Sequence, residues 1–148
     1  MIAVLQRVQH SKVLVENETI GEIESGLNIL LGVAEDDEKV DAEFLAKKIS
    51  AFRIFPDENR NMNLSIQDVN GSALVVSQFT LCADWRKGNR PGFSTAAKPE
   101  KANELYEFFM EELGNYGIPI QSGKFGAMMD VHILNDGPVT FVLNSKEK

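Results

Sequence analysis

Apolar and polar residues alternate at the start of the chain. Ile2, Val4, Gln6 and Val8 fall on one side and Ala3, Leu5 and Arg7 on the other, which predicts a strand apolar on both faces near its start. Arg7 is then a charge carried by a mostly buried strand. Residues 12–16 and 19–23 flank Asn17-Glu18 at hairpin spacing, and Gly26 introduces the apolar run 27–33. Three or four strands therefore open the chain. The period then changes: Val40, Phe44, Leu45, Ile49 and Phe52 recur at helical spacing, while Asp41, Glu43, Lys47 and Lys48 take the other face. Asp36 or Asp37 stands where a helix cap belongs.

Pro56-Asp57-Glu58-Asn59 reads as a turn, residues 61–71 as a loop with a short strand at 63–66, and residues 73–81 as a buried strand. Residues 83–97, with Gly88, Pro91 and Gly92, form a long loop; loops of about 15 residues are uncommon in compact domains and often functional. Pro99 suits the first turn of a second helix with Ala102, Leu105, Tyr106, Phe109 and Leu113 as its inward stripe and Gly114 or Gly117 at its end. Strands are expected at 118–121, 125–134 and 139–144, and a frayed tail at 145–148. With no repeat, linker or low-complexity tract, residues 1–148 form one α+β domain: strand-rich, with mixed or antiparallel sheets and two amphipathic helices.

A chain of 148 residues buries roughly 68 to 70% of its unfolded surface, so a core is available without staples. No apolar run approaches the ~18 residues that span a bilayer, and the short Arg7-bearing N-terminal stretch lacks the marks of a signal peptide. With a lone Cys82 excluding an internal disulfide, a cytoplasmic location is expected. The net charge of −7 argues against attraction of nucleic acid over the whole surface. Locally the balance reverses: between residues 84 and 101 five basic residues (Arg86, Lys87, Arg90, Lys98, Lys101) stand against Asp84 and Glu100, leaving +3. An acidic chain can still present one basic rim.

Conventional catalytic sets are missing from the sequence. His10 and His132 read as surface or satisfied residues, no Cys, His and carboxylate cluster has metal-ligand spacing, and there is no GxSxG, phosphate loop or HExxH. Cys82 shows neither a neighbouring base nor a reason for a low pKa, and reads as a small hydrophobe. Glu104, Glu107, Glu111 and Glu112 read as a solvated helix face. Two segments stand out instead. In Ser77-Gln78-Phe79-Thr80-Leu81 an apolar strand turns polar; this is either a strand end whose hydroxyls satisfy nearby backbone, or a site lined by hydroxyl, amide and N–H donors that can hold an ester or oxyanion. In Asn135-Asp136-Gly137-Pro138-Val139-Thr140 a polar turn separates two apolar runs. Since only ~5 to 6% of X–Pro bonds are cis, these residues alone point to a trans turn joining two strands.

Read together with Gln6-Arg7-Val8, Lys87-Gly88-Asn89-Arg90-Pro91 and Asn103-Glu104-Leu105-Tyr106, these two segments make the chain resemble the D-aminoacyl-tRNA deacylases of the bacterial and eukaryotic type, over essentially its whole length. Gly92 departs from the family, which has Ser after Arg-Pro. The resemblance implies a homodimer in which the Gly137-Pro138 peptide is cis and enters the partner's site to face the partner subunit's Thr80. Main-chain carbonyls beside the substrate Cα would admit a hydrogen and reject an L side chain, and glycyl-tRNA would be accepted. The implied reaction is hydrolysis of the aminoacyl ester on the 3′-terminal adenosine of tRNA. Ser77, Gln78, Phe79 and Thr80 form the catalytic segment, in which Thr80 acts as nucleophile or the substrate 2′-hydroxyl activates water. Arg7 would hold the Gly-Pro loop through a carbonyl, and Phe125 and Met129 would line the adenosine or aminoacyl pocket, unless they merely pack the core. Arg86, Lys87, Arg90 and Lys124 are candidates for phosphate contact. No cofactor, metal or membrane is called for. A non-catalytic RNA-binding module, with the Gly-Pro turn as a dimer contact, and an amidase of small D-amino acid derivatives are the rival readings.

Overall fold

The computed structural model describes residues 1–147. Eight strands and two helices follow one another as β1 (Ile2–Val15), β2 (Glu18–Ile23), β3 (Gly26–Gly32), α1 (Lys39–Ala51), β4 (Phe55–Pro56), β5 (Met62–Leu64), β6 (Ser72–Ser77), α2 (Pro99–Gly114), β7 (Ile120–Ser122) and β8 (Asp130–Asn144). Six of the strands form one mixed sheet in the order β2-β1-β3-β6-β7, with β8 on β1; β4 and β5 form a separate ribbon. β1 is antiparallel to β2, β3 and β8, whereas β3–β6 and β6–β7 are parallel. Parallel neighbours need a crossover, and each is supplied by a helix: α1 lies between β3 and β6, α2 between β6 and β7.

β1 is longer than the sequence pattern indicates. Residues 2–8 and 12–15 belong to one strand because the polar stretch between them is paired: the buried Ser11 hydroxyl lies within hydrogen-bond distance of Asn28 Oδ1 and the His132 carbonyl. The hairpin turn falls at Glu16-Asn17, one residue before its expected place, with both residues at positive φ (51° and 64°) as a tight hairpin of this kind requires.

Leu5, Ile29, Leu31 and Val75 pack on one face of the sheet against Leu45 and Ile49 of α1 and Leu105, Phe109 and Leu113 of α2. Val8, Val13, Ile23, Leu74 and Val76 form a second cluster with Leu30, Met129, Val131 and Ile133. β6 supplies both clusters from alternate residues, which is why its sequence is apolar without alternation.

At α1 the structure reverses two expected positions. Val40 is exposed, while Asp41 is buried. Glu38, not Asp36 or Asp37, is the N-cap, and Asp41 completes a capping box by accepting the Glu38 N–H at 2.8 Å. Asp37 instead accepts from the Met1 ammonium and the Ala34 N–H. The tail expected to fray is anchored in its first residues: Ser145 donates its N–H to the Met1 carbonyl, and Lys146 pairs with Asp37 and Asp41. Lys148 lies outside the described residues.

Candidate active site

The apolar run of β6 ends at Ser77, not at Leu81. Gln78 still donates its N–H to the Leu31 carbonyl at 2.8 Å, but Phe79–Cys82 then coil into a 3₁₀ turn, closed by Leu81 N–H to Gln78 O and Ala83 N–H to Thr80 O. Gly32 permits the turn to sit against β3, since a Cβ there would come within 2.9 Å of Leu81 Cβ and 3.0 Å of the Gln78 carbonyl oxygen. The leading N–H groups of a helical turn have no intrahelical acceptor, and those of Phe79 and Thr80 find none in the backbone bonds of the described residues. Two adjacent donors are thereby left for a ligand. Thr80 is exposed, and its hydroxyl accepts from the Gln78 side-chain amide.

Among the described residues the Thr80 hydroxyl is bonded to the Gln78 amide, which is not a base. His10 is engaged by Glu22, and His132 is exposed on β8 opposite Lys12. Burial and the nearby Asp37 charge push the Cys82 thiol above its ordinary pKa, which fits the small-hydrophobe reading. Among the described residues no three His, Cys, Asp or Glu side chains are grouped so as to hold a metal ion, and no helix is long and apolar enough to cross a membrane.

A cleft of about 700 Å³ opens at the carboxyl ends of the parallel strands β3 and β6. Ser77, Gln78 and Phe79 form one wall, Phe125 and Met129 another, and Leu31 and Val76 line it from the sheet. Phe125 and Met129 therefore do both things the sequence left open: each lines the cleft and each packs against a core cluster. Residues 125–129, expected as strand, precede β8 and curve along this cleft.

Tyr106 and Phe93 are among the lining residues that escaped the sequence reading. Tyr106 belongs to the inward stripe of α2, yet it also lines the cleft, stands 6.0 Å from the Phe125 ring and donates its hydroxyl to the Val75 carbonyl. Burial pushes its pKa up to about 12, so it stays a protonated donor. Phe93, from the long loop, meets Phe79 edge-on with ring centroids 5.0 Å apart. The loop's Gly and Pro content was the available signal for it.

The second segment lies elsewhere, and it is not a turn between strands. Val8 pairs with Asn135 and Gln6 with Thr140, so Asp136, Gly137, Pro138 and Val139 bulge out of one continuous strand opposite the single residue Arg7. The Gly137-Pro138 peptide is cis. Gly137 sits at φ +132°, where a Cβ would approach the Val139 nitrogen to 2.9 Å. Arg7, 9% exposed, donates through Nη1 to the Ile54 carbonyl (2.8 Å) and through Nε to the Asp136 carbonyl (3.2 Å), with Asp136 Oδ2 3.1 Å from Nε. Arg7 pairs with Leu27 and Leu27 with Ala73, four positions before Ser77. That is roughly 13 Å along the strands and ~10 Å across them. Gly137 and Pro138 are exposed and do not line their own chain's cleft.

Of the basic residues, Arg86 is held by Asp84 through Nε (2.8 Å) and Nη2 (2.9 Å), hydrogen bonds that bring the Asp84 carboxyl down to about 2. Lys87, Arg90 and Lys124 are exposed, the last beside Phe125.

The fold and cleft define a class: a mixed-sheet α+β domain whose polar cleft wall is backbone N–H, amide and hydroxyl, with no histidine among the described residues that line it. The chain belongs to the D-Tyr-tRNA(Tyr) deacylase family, whose model matches residues 4–144. It is 56% identical over 147 residues to a D-aminoacyl-tRNA deacylase of Sulfurihydrogenibium sp. (strain YO3AOP1), covering 99% of both chains. It is 54% identical over 147 residues, again 99% of each, to one of Thermosipho africanus (strain TCF52B). Among solved structures, the c-Myc DNA unwinding element binding protein superposes with a TM-score of 0.91 at 41% identity, covering 97% of this chain and 98% of that one. A probable eukaryotic D-amino acid tRNA deacylase shares the fold with a TM-score of 0.84 at 15% identity, over 96% and 97% of the two chains.

Proposed function

We propose that this protein hydrolyses the ester joining a D-amino acid to the 3′-terminal adenosine of tRNA. The observation that carries the reading is the pair of N–H groups of Phe79 and Thr80, without a backbone acceptor among the described residues, beside an apolar cleft that Phe79 lines. Such donors stabilise the oxygen that becomes negative as a carbonyl is attacked. Because Thr80 has no base to take its proton, the nucleophile is water, activated by the substrate's own 2′-hydroxyl. Water adds at the carbonyl carbon, the C–O3′ bond breaks, and the ribose oxygen leaves with a proton. Ser77 and Gln78 shape the wall, and Phe125 and Met129 hold the adenosine or the aminoacyl side chain.

Chiral selection falls to the Gly137-Pro138 bulge of the partner subunit in a homodimer. The intrachain separation supports this, as does β8, a 15-residue strand that pairs on one edge only with β1. Its main-chain carbonyls, fixed from behind by Arg7, admit the Cα hydrogen of a D residue and exclude an L side chain, so glycyl-tRNA is also a substrate. Arg86, Lys87, Arg90 and Lys124 contact tRNA phosphates.

The solved protein at 41% identity is named for binding a nucleic acid, a DNA unwinding element, which favours a second reading, an RNA-binding module without catalysis. Incubation with matched D-, L- and glycyl-tRNAs separates the two. Ester loss from the D and glycyl forms alone supports the enzyme, loss from none supports the binding module, and equal loss from D and L sinks the chiral wall. Hydrolysis confined to free D-amino acid amides would instead point to an amidase.

A further inference from the structure

We propose that Trp85 is a stacking platform for an unpaired base of the tRNA acceptor end, with Lys87 and Arg90 holding the neighbouring phosphates; the identity of the RNA rests on the deacylase reading. Trp85 is 75% exposed, although an indole in water forfeits the burial that usually stabilises it. It is also not loosely held. Asp84 and Gly92 exchange both backbone hydrogen bonds at 2.7 and 2.8 Å, closing the loop at its base just before Trp85. On its other side Arg86 is fixed by the Asp84 carboxylate through its backbone N–H, Nε and Nη2. Gly88, at φ +68°, lies in the left-handed region that favours glycine. An aromatic face presented on a braced loop loses little freedom when a flat ligand covers it.

The surroundings specify that ligand. Lys87 and Arg90 form no ion pair among the described residues, so their charge is available on a chain that is otherwise acidic. Exposed aromatics among cations suit single-stranded nucleic acid, in which bases stack on the rings and phosphates meet the charges. Gly92 leads directly to Phe93, whose ring lines the cleft. Across an antiparallel pair, Trp85 and Phe93 are roughly 8 Å apart at Cα, so neighbouring bases of an unstacked single strand can reach the two rings. With the terminal adenosine in the cleft, the nucleotide before it is carried to Trp85.

Trp85 is the chain's single tryptophan, so its emission reports on this one ring. Titration of the full-length protein with deacylated tRNA is expected to quench that emission saturably, and removal of the unpaired 3′ strand is expected to abolish the effect. W85A is expected to raise KM for D-aminoacyl-tRNA roughly 5- to 150-fold, the equivalent of ~1–3 kcal/mol per stacked base, with the loss on KM rather than kcat and most of it recovered in W85F. Unchanged emission at saturating tRNA, quenching that survives loss of the 3′ strand, or a parental KM in W85A overturns the proposal. So does an emission change on protein dilution alone, which assigns the ring to a protein–protein contact. The two readings fail separately: quenching without ester hydrolysis keeps the platform and sinks the enzyme, and hydrolysis without quenching does the reverse.

Discussion

Arg7 donates to the Asp136 carbonyl across a bulge in which four residues of β8 stand opposite one residue of β1. The guanidinium also reaches the Ile54 carbonyl, so one buried side chain ties the Gly-Pro segment to the start of β4. Lysine carries the charge but not the fork that reaches both carbonyls. R7K is expected to retain hydrolysis of D-aminoacyl-tRNA while lowering the D-over-L ratio of kcat/KM about tenfold or more, since misplacement of ~1 Å is costly in such a site. R7A is expected to destabilise the protein by about 2–3 kcal/mol in denaturant titration, because two carbonyls lose a charged donor. An unchanged D-over-L ratio in R7K would show that the bulge does not depend on this anchor.

Gly32 keeps the Phe79–Cys82 turn, the proposed catalytic segment, close to β3. G32A drives a methyl group against Leu81 Cβ and the Gln78 carbonyl. The expected cost is about 1–3 kcal/mol of stability, together with a loss of kcat larger than the change in KM as the Phe79 and Thr80 N–H groups move. Parental kcat in a stably folded G32A would detach catalysis from the position of this turn.

In the proposed reaction Thr80 serves through its backbone N–H, while its hydroxyl accepts from the Gln78 amide. T80A is therefore expected to keep single-turnover deacylation within about tenfold of the parent, the scale of one neutral hydrogen bond. A fall of roughly 10⁴-fold, with no trapped intermediate in T80A and one in the parent, would establish the hydroxyl as nucleophile.

The Asp41 carboxyl predicts a pH dependence of stability. Burial acts to raise its pKa, but hydrogen bonds from the Glu38 N–H, Ser145 and Lys146 outweigh it and bring it to about 2 from 3.8. The folded state therefore holds this proton less tightly than the unfolded chain. The stabilisation is present above the unfolded value and is lost as pH falls from about 4 toward 2, amounting to ~2 kcal/mol. D41N should remove that step from the acid side of the stability profile, and a profile with the same step in D41N would place its origin elsewhere.

Periodicity located both helices and the complete inward stripe of α2, because a helical stripe is a local property of the chain. It failed where a distant partner decides the matter. Asp41 is buried because Lys146, more than a hundred residues later, comes to pair with it. The polar residues Asn135 to Pro138 look like a turn, yet β8 continues through them because β1 pairs with it on both sides of the bulge. At the site, the polar break after Val76 was visible, whereas its change from strand to 3₁₀ turn was not. Tyr106 and Phe93 carry no mark that distinguishes a cleft wall from core or loop. Their role comes from the way α2 and the long loop meet the carboxyl ends of β3 and β6.

A D-selective ester hydrolase whose N–H turn and chiral wall come from different subunits is tested most directly by mixing two defective chains. One carries G32A at the turn and the other Gly137→Val at the bulge, where φ +132° and the nearby Val139 nitrogen leave no room for a side chain. Each alone should be impaired on D-aminoacyl-tRNA. After co-refolding, random pairing should restore roughly one site in four, active on D- and inert on L-aminoacyl-tRNA, because one mixed site in two combines both intact halves. No recovery on mixing, from chains shown to have exchanged subunits, would contradict the account.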